Sequence, residues 1–258
     1  MPDTDTVSLD TEDDVATLTV SRPERLNALN VEVLEGLQTG IAEAEAADAR
    51  TVVLRGAGDE AFVAGADIGY MQDLTTPEAQ AYAELGHDVA RSLETFPAPV
   101  VAAVDGYAFG GGCELALACD LRVASEDAVL GQTETDLGIV PGWGGTQRLP
   151  RLVGDETARR MIFLGERLDA EAAADADLVG EVVAAEAFDD RIDDLAGELA
   201  ARPGFAVAAA KEAVNAAHEE PLTAGLATER RLWSGLFGTH DQREGMAAFL
   251  ENREPEFQ

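Results

Sequence analysis

Lysine is almost missing from these 258 residues: Lys211 is the only one, so the other cations in a Lys+Arg total of 18 are all arginine. Cysteine is reduced to Cys113 and Cys119. With no CxxC spacing they exclude a zinc ribbon or a dithiol redox motif. In a segment that reads as a helix they are expected to be small core residues rather than a disulfide. Aromatics make up only 5%. No apolar run approaches the ~18 residues that a membrane-crossing helix needs. The amino terminus, Met1-Pro2-Asp3-Thr4-Asp5, is acidic and polar, the reverse of a signal peptide. A cytoplasmic protein is expected. His87, His218 and His240 show no ligand spacing and are expected at the surface, so neither a metal nor a redox cofactor is indicated. Internal repeats, linkers and low-complexity stretches are absent.

What is abundant is acid. Asp+Glu 50 against Lys+Arg 18 gives a net charge of −32, spread along the whole chain rather than gathered in a tail. Such a surface repels phosphate at long range, which argues against nucleic acid and anionic membranes as partners. It also repels itself in dilute salt, whereas at molar salt the screening length falls to about 3 Å. Diffuse acidity combined with lysine depletion resembles the proteins of halophiles that keep molar salt in the cytoplasm. Hydrophobic residues still reach 46%, enough for a sizeable core in one large domain with a helical appendix.

The pattern along the chain alternates strands and helices. Val7–Leu9 and Val15–Val20 alternate around Asp13-Asp14 and predict a hairpin. Asn30 is placed to cap a helix to about Ala47, with Val33, Leu34, Leu37 and Ile41 on one face. Thr51–Arg55 reads as a buried strand, Pro77–Thr95 as a helix, and Pro99–Val104 as a strand covered on both faces. Leu121–Ala124 and Ala128–Leu130 predict two short strands. From Asp155 onward the chain is mostly helical, with one strand-like stretch at Leu178–Val183. This is an α/β domain over 1–201, followed by a helical region over 202–258.

Two glycine-containing loops carry the chemical signal. Gly110-Gly111-Gly112 follows the Val100–Val104 strand and opens a helix, a layout that presents backbone N–H groups at a helix N-terminus. Taken alone it is equally a tight turn for close helix–sheet packing. No Gly-Lys-Ser/Thr follows, which argues against a phosphate cradle. The loop Ala61–Ile68 ends the preceding strand unit, and loops at the ends of neighbouring parallel strands converge on one crevice. One N–H from each could hold a single oxygen, the geometry of an oxyanion hole. Glu114 and Glu134 lie in apolar, glycine-rich text, unlike the solvated carboxylates around them.

Val101–Leu121, reading VAAVDGYAFGGGCELALACDL, resembles the signature segment of the enoyl-CoA hydratase/isomerase (crotonase) family. Four further blocks follow in the family's order: SRPERLNALN at Ser21–Asn30, AFVAGADI at Ala61–Ile68, GQTETDLGIVPGWGGTQRLPRLVG at Gly131–Gly154, and DQREGMAAFLENR at Asp241–Arg253. The resemblance implies a crotonase-like spiral of βαβ units with a C-terminal helical trimerisation region, assembled as a trimer or a dimer of trimers. It implies Ala66 and Gly111 as the oxyanion-hole N–H donors, Glu114 and Glu134 as the catalytic carboxylates, and Gly142 near the attacking water. Arg25, Ala64, Asp67, Ile68, Trp233 and Phe249 become candidate substrate contacts, the last two at the acyl end, where ordinary helix packing explains them equally well. Coenzyme A enters only as part of an acyl-CoA thioester substrate.

Retention of both glutamates favours a hydratase over an isomerase, which generally needs only the later carboxylate. It also argues against a non-catalytic acyl-CoA-binding homologue. The length leaves no room for a hydroxyacyl-CoA dehydrogenase domain, so a monofunctional enzyme is expected, and the resemblance implies fatty acid β-oxidation as its setting. The sequence departs from the family where lysines contact CoA: Gly69 follows Ala-Asp-Ile, Glu24 follows Pro23, and Asn252 stands near the C-terminus. Arg25 is left as the best placed cation. Raising KCl from ~0.1 M to ~2 M is expected to raise the melting temperature and to lower the Michaelis constant for crotonyl-CoA, because screening relieves repulsion within the protein and toward CoA. Equal stability at both concentrations would show that the composition is not a salt adaptation.

Overall fold

A computed structural model describes residues 6–258; the acidic start Met1–Asp5 lies outside them. The chain runs through β1 (Val7–Glu12), β2 (Val15–Val20), α1 (Val31–Ala46), β3 (Thr51–Gly56), α2 (Ile68–Met71) and α3 (Thr76–Thr95). It continues with β4 (Val100–Val104), β5 (Tyr107–Phe109), α4 (Gly111–Ala118), β6 (Leu121–Ser125), β7 (Val129–Gly131), α5 (Gly145–Val153) and α6 (Asp155–Leu164). Then come β8 (Arg167–Asp169), α7 (Ala170–Asp175), β9 (Glu181–Val183) and α8 (Phe188–Ala200), and last α9 (Gly204–Glu219), α10 (Leu222–Gly235) and α11 (His240–Glu251).

The predicted hairpin pairs Val7 with Val20 through to Glu12 with Val15, around Asp13 and Asp14 at φ +47° and +65°. Aspartate is among the few residues that tolerate this left-handed backbone, which matches the twist of a two-residue hairpin. From β2 the sheet grows by parallel neighbours, in the order β1-β2-β3-β4-β6-β9. A second sheet joins β5, β7 and β8. Parallel pairing needs crossovers, and α1 and α3 supply them. Asn30 caps α1 as expected, its side chain accepting from the Val33 N–H at 3.0 Å.

β4 explains why its text is apolar without alternation. Val100, Ala102 and Val104 join the main core, while Val101 and Ala103 face Phe188, Ile192 and Ala196 of α8. Burial on both faces removes the period-two signal. One expectation shifts. The Leu178–Val183 stretch is strand only over Glu181–Val183; Leu178 and Val179 are buried in the turn before it. β5 and β8, three residues each, and the four-residue α2 are too short to leave a periodic trace. Both cysteines are free and buried, and burial pushes each thiol up to about 12.

The three C-terminal helices lie outside this core: α9 and α10 bury no residue fully, and α11 buries only Asp241 and Ala248. The solitary lysine fastens the first of them. Lys211 on α9 donates to the carbonyls of Leu93 and Ala98 at 3.1 Å and to Asp120 Oδ2 at 2.7 Å, with its side chain only 8% exposed. Asp120 accepts in turn from the Val100 N–H, so one carboxylate joins the start of β4 to α9. Burial raises the Asp120 pKa, and Lys211 opposes that shift. Lys211→Met should therefore lower stability by about 3 kcal/mol, because it strands a buried carboxylate. Adding Asp120→Asn should recover part of that loss in denaturant titrations; no recovery would show that the ion pair is not what fastens α9.

Candidate active site

The site grows from two loops clamped together. The segment after β2 places Leu26 and Asn27 in left-handed backbone, φ +52° and +57°. Asn27, wholly buried, accepts from the Arg22 N–H and donates to the carbonyls of Ala57 and Ala61 at 2.9 and 2.7 Å, so it satisfies the turn of one loop with the backbone of the other. The Leu29 N–H donates to Gly65 and the Asp67 N–H donates to Leu29, at 2.8 and 2.7 Å, on either side of Ala66. Arg22 pairs with Asp67 at 3.1 Å and also donates to the Ala28 carbonyl.

Against this clamp lies the start of α4. Val63 and β5 exchange backbone bonds, which carries Gly65 toward Gly111: a Cβ on Gly65 would stand 3.8 Å from the Gly111 nitrogen. Among the described residues no backbone carbonyl accepts from the N–H of Ala66 or of Gly111. Two neighbouring donors are thus left for an oxygen from outside, the requirement of an oxyanion hole.

Glu114 follows Gly111 by one turn, on the same face of α4, and is 2% exposed. Its Oε1 accepts from the N–H groups of Trp143 and Gly145, both at 2.7 Å, and the Gly142 N–H also favours its ionised form. Burial is the larger influence and raises its pKa. Glu134, in a short helical turn after β7, is 9% exposed. Burial first, and the negative charge of Glu114 second, raise its pKa to about 7. Gln132, wholly buried, turns its amide nitrogen toward both oxygens of Glu134, at 3.0 and 3.2 Å, in the orientation that satisfies its amide. The arrangement joins two N–H donors, one carboxylate tethered by backbone, and a second poised to hold or release a proton near neutrality.

The other candidates scatter. Ala64 sits in the clamp, its N–H donating to Leu26. Asp67 commits its carboxylate to Arg22 and to the cap of α2, where it accepts from Tyr70. Ile68 is 56% exposed at the rim, and Arg25 is exposed on the turn Pro23–Arg25. Trp233 and Phe249 are 64% and 82% exposed on α10 and α11; the Trp233 ring packs on Phe237, not on the two glutamates. The roles of Arg22, Asn27, Gln132 and the Trp143 and Gly145 N–H groups escape sequence reasoning. Only the block resemblance marks those positions, since each role depends on contacts across loops. His87, His218 and His240 are exposed. Among the described residues no group of three or more His, Cys, Asp or Glu is gathered as a metal set, and no helix is long and apolar enough to cross a membrane.

Comparison with known proteins agrees over nearly the full length. The family model described as enoyl-CoA hydratase/isomerase matches residues 10–258. The crotonyl-CoA hydratase of Syntrophomonas wolfei is 39% identical over 252 residues, covering 97% of each chain. The short-chain-enoyl-CoA hydratase of Clostridium acetobutylicum is 41% identical over 251 residues, covering 97% of this chain and 96% of its own. The crystal structure of an enoyl-CoA hydratase from Bacillus anthracis superposes with a TM-score of 0.93 at 38% identity, covering 98% of each chain.

The perturbed carboxyl of Glu134 links site and stability. Folded, it keeps its proton to about pH 7; unfolded, to an ordinary 4.5. Between those values the folded form binds more protons, so stability falls as pH rises through the window and stays lower above it, by about 3 kcal/mol. Glu134→Gln should raise the melting temperature relative to the parent at pH 8 and leave it nearly unchanged near pH 4. A difference that does not depend on pH would show that Glu134 is not perturbed.

Proposed function

The chain belongs to the enoyl-CoA hydratase/isomerase family, and from that premise we propose that it is an enoyl-CoA hydratase, adding water reversibly and syn across a trans-2-enoyl-CoA to give a 3-hydroxyacyl-CoA. The observation that supports this most is the pairing of Glu114, tethered through Oε1 by two backbone N–H groups, with Glu134 poised near pH 7. Attack at Cβ drives negative charge onto the thioester oxygen. The Ala66 and Gly111 N–H groups receive that oxygen, and loss of one such donor typically costs about 3–4 kcal/mol. Glu114 keeps Oε2 for the water proton, with the Gly142 N–H beside it to orient the water. The hydroxyl bonds to Cβ, the water proton passes to Glu114, and Glu134 delivers its own proton to Cα. A proton exchange between the two carboxyls then restores the starting state.

The names of the Syntrophomonas and Clostridium relatives favour the same reaction; fatty acid β-oxidation is the setting proposed for it. Arg25, Ala64, Asp67 and Ile68 form the proposed CoA side of the site; Asp67 contributes through the clamp. The proposed division is a catalytic core over 1–201 and an oligomerisation region over 202–258. Its exposed Leu222, Leu226, Trp233, Phe237, Phe249 and Leu250 suit a trimer or a dimer of trimers, in which Trp233 and Phe249 gain apolar surroundings. Cytoplasmic location and adaptation to molar salt complete the reading, with no cofactor beyond the CoA of the substrate.

Loss of the enoyl absorbance of crotonyl-CoA tests it directly. Glu114→Gln and Glu134→Gln are each expected to lower turnover by about 100-fold or more with the fold intact. The kcat/KM for hydration should fall as pH rises through about 7, where Glu134 loses its proton. Normal hydration by either variant would remove that residue from the mechanism. Double-bond migration that survives only the Glu114 change would point to an isomerase.

A further inference from the structure

Trp143 has so far entered only through its backbone, yet its ring fills the space beside the site. The indole is 4% exposed and fits a slot between α3 and α4 that two glycines make possible. A Cβ on Gly86 of α3 would stand 2.2 Å from Cε2 of the ring, and one on Gly111 of α4 would stand 2.3 Å from Cζ3. No side chain fits at either position with the indole in place. The ring is also braced: Tyr82 meets it edge-on at 5.3 Å between centroids, and the Tyr82 hydroxyl is anchored on the Leu29 carbonyl at 2.6 Å. Arg148, paired with Glu94, holds the Trp143 carbonyl at 2.7 Å. The indole is a fixed wall.

We infer that Trp143 closes the far end of the acyl site and restricts this enzyme to short enoyl chains. The inference rests on the hydratase reading and deepens it to a substrate class. The thioester oxygen at the Gly111 N–H and Cβ within reach of Glu114 direct the acyl chain along the face of α4 that carries both residues, a rise of about 4.5 Å. The indole lies against Gly111 on that face, and the backbone N–H of the same Trp143 holds Glu114. Carbons beyond Cγ run into the ring. A four-carbon chain ends before the wall, and an eight-carbon chain does not.

The test compares kcat/KM for crotonyl-CoA and for its eight-carbon homologue in the parent, Trp143→Ala and Trp143→Phe. The parent is expected to favour the four-carbon substrate by about tenfold or more. Trp143→Ala should shrink that ratio at least tenfold, and Trp143→Phe should fall between. A merely structural role would depress both substrates together and leave the ratio alone. Calorimetric binding of butyryl-CoA and octanoyl-CoA gives the same comparison without chemistry, and Trp143→Phe keeps the test open if the alanine variant does not fold. A parent without chain-length preference, or an unchanged ratio in the variants, overturns the inference. A parent that hydrates neither substrate overturns the hydratase reading instead, and the binding ratio then decides the role of Trp143 alone.

Discussion

A carboxylate buried to the depth of Glu114 organises this molecule. Taking such a group out of water is expensive unless donors replace the hydration shell. Here the replacement comes almost wholly from backbone, the N–H groups of Trp143 and Gly145 converging on one oxygen. That requirement fixes the path of the chain between Glu134 and α5. The same segment must leave the short turn at Glu134, present its N–H groups to α4, and seat an indole between two helices. Geometry that satisfies one buried charge thereby sets the spacing of the two carboxyls and the wall beside them.

The remainder of the charge is handled outside. Ion pairs such as Arg55–Asp189, Arg159–Asp155 and Arg231–Glu212 are exposed and contribute little individually. With 50 acidic side chains against 18 basic ones, most carboxylates have no cation to meet. The interior carries little of this surplus: β4 is alanine and valine on both faces, and among the described residues the acidic ones below one-tenth exposure are the two site glutamates and Asp241. Core and surface are built to separate specifications, which lets composition drift far from neutrality without disturbing the site.

Much of this was legible in the sequence where periodicity is strong. The hairpin at Asp13-Asp14, the Asn30 cap and the doubly covered Val100–Val104 strand all follow from local rules that tertiary contacts reinforce. β5, β8 and α2 were not legible, because three or four residues hold no period. In the site, the glycine loops and the two glutamates could be read from their surroundings and from the family blocks. The clamp through Arg22, Asn27 and Asp67, the amide of Gln132 beside Glu134, and the slot for Trp143 could not. Each joins residues far apart in sequence through bonds that leave no local pattern. Asp67 shows the difficulty in reverse: an acidic residue in a site motif whose carboxylate is already taken by an arginine and a helix end.

The seat of Lys211 has a chemical consequence. Acyl-CoA thioesters are electrophiles, and an exposed lysine amine is the side-chain nucleophile they most readily acylate. In this chain the only such amine is 8% exposed and donates to two carbonyls and a carboxylate, with no lone pair offered outward. Arginine, protonated throughout the physiological range, does not substitute for it as a nucleophile. An enzyme that works on reactive thioesters thus offers them no exposed lysine side chain to mark.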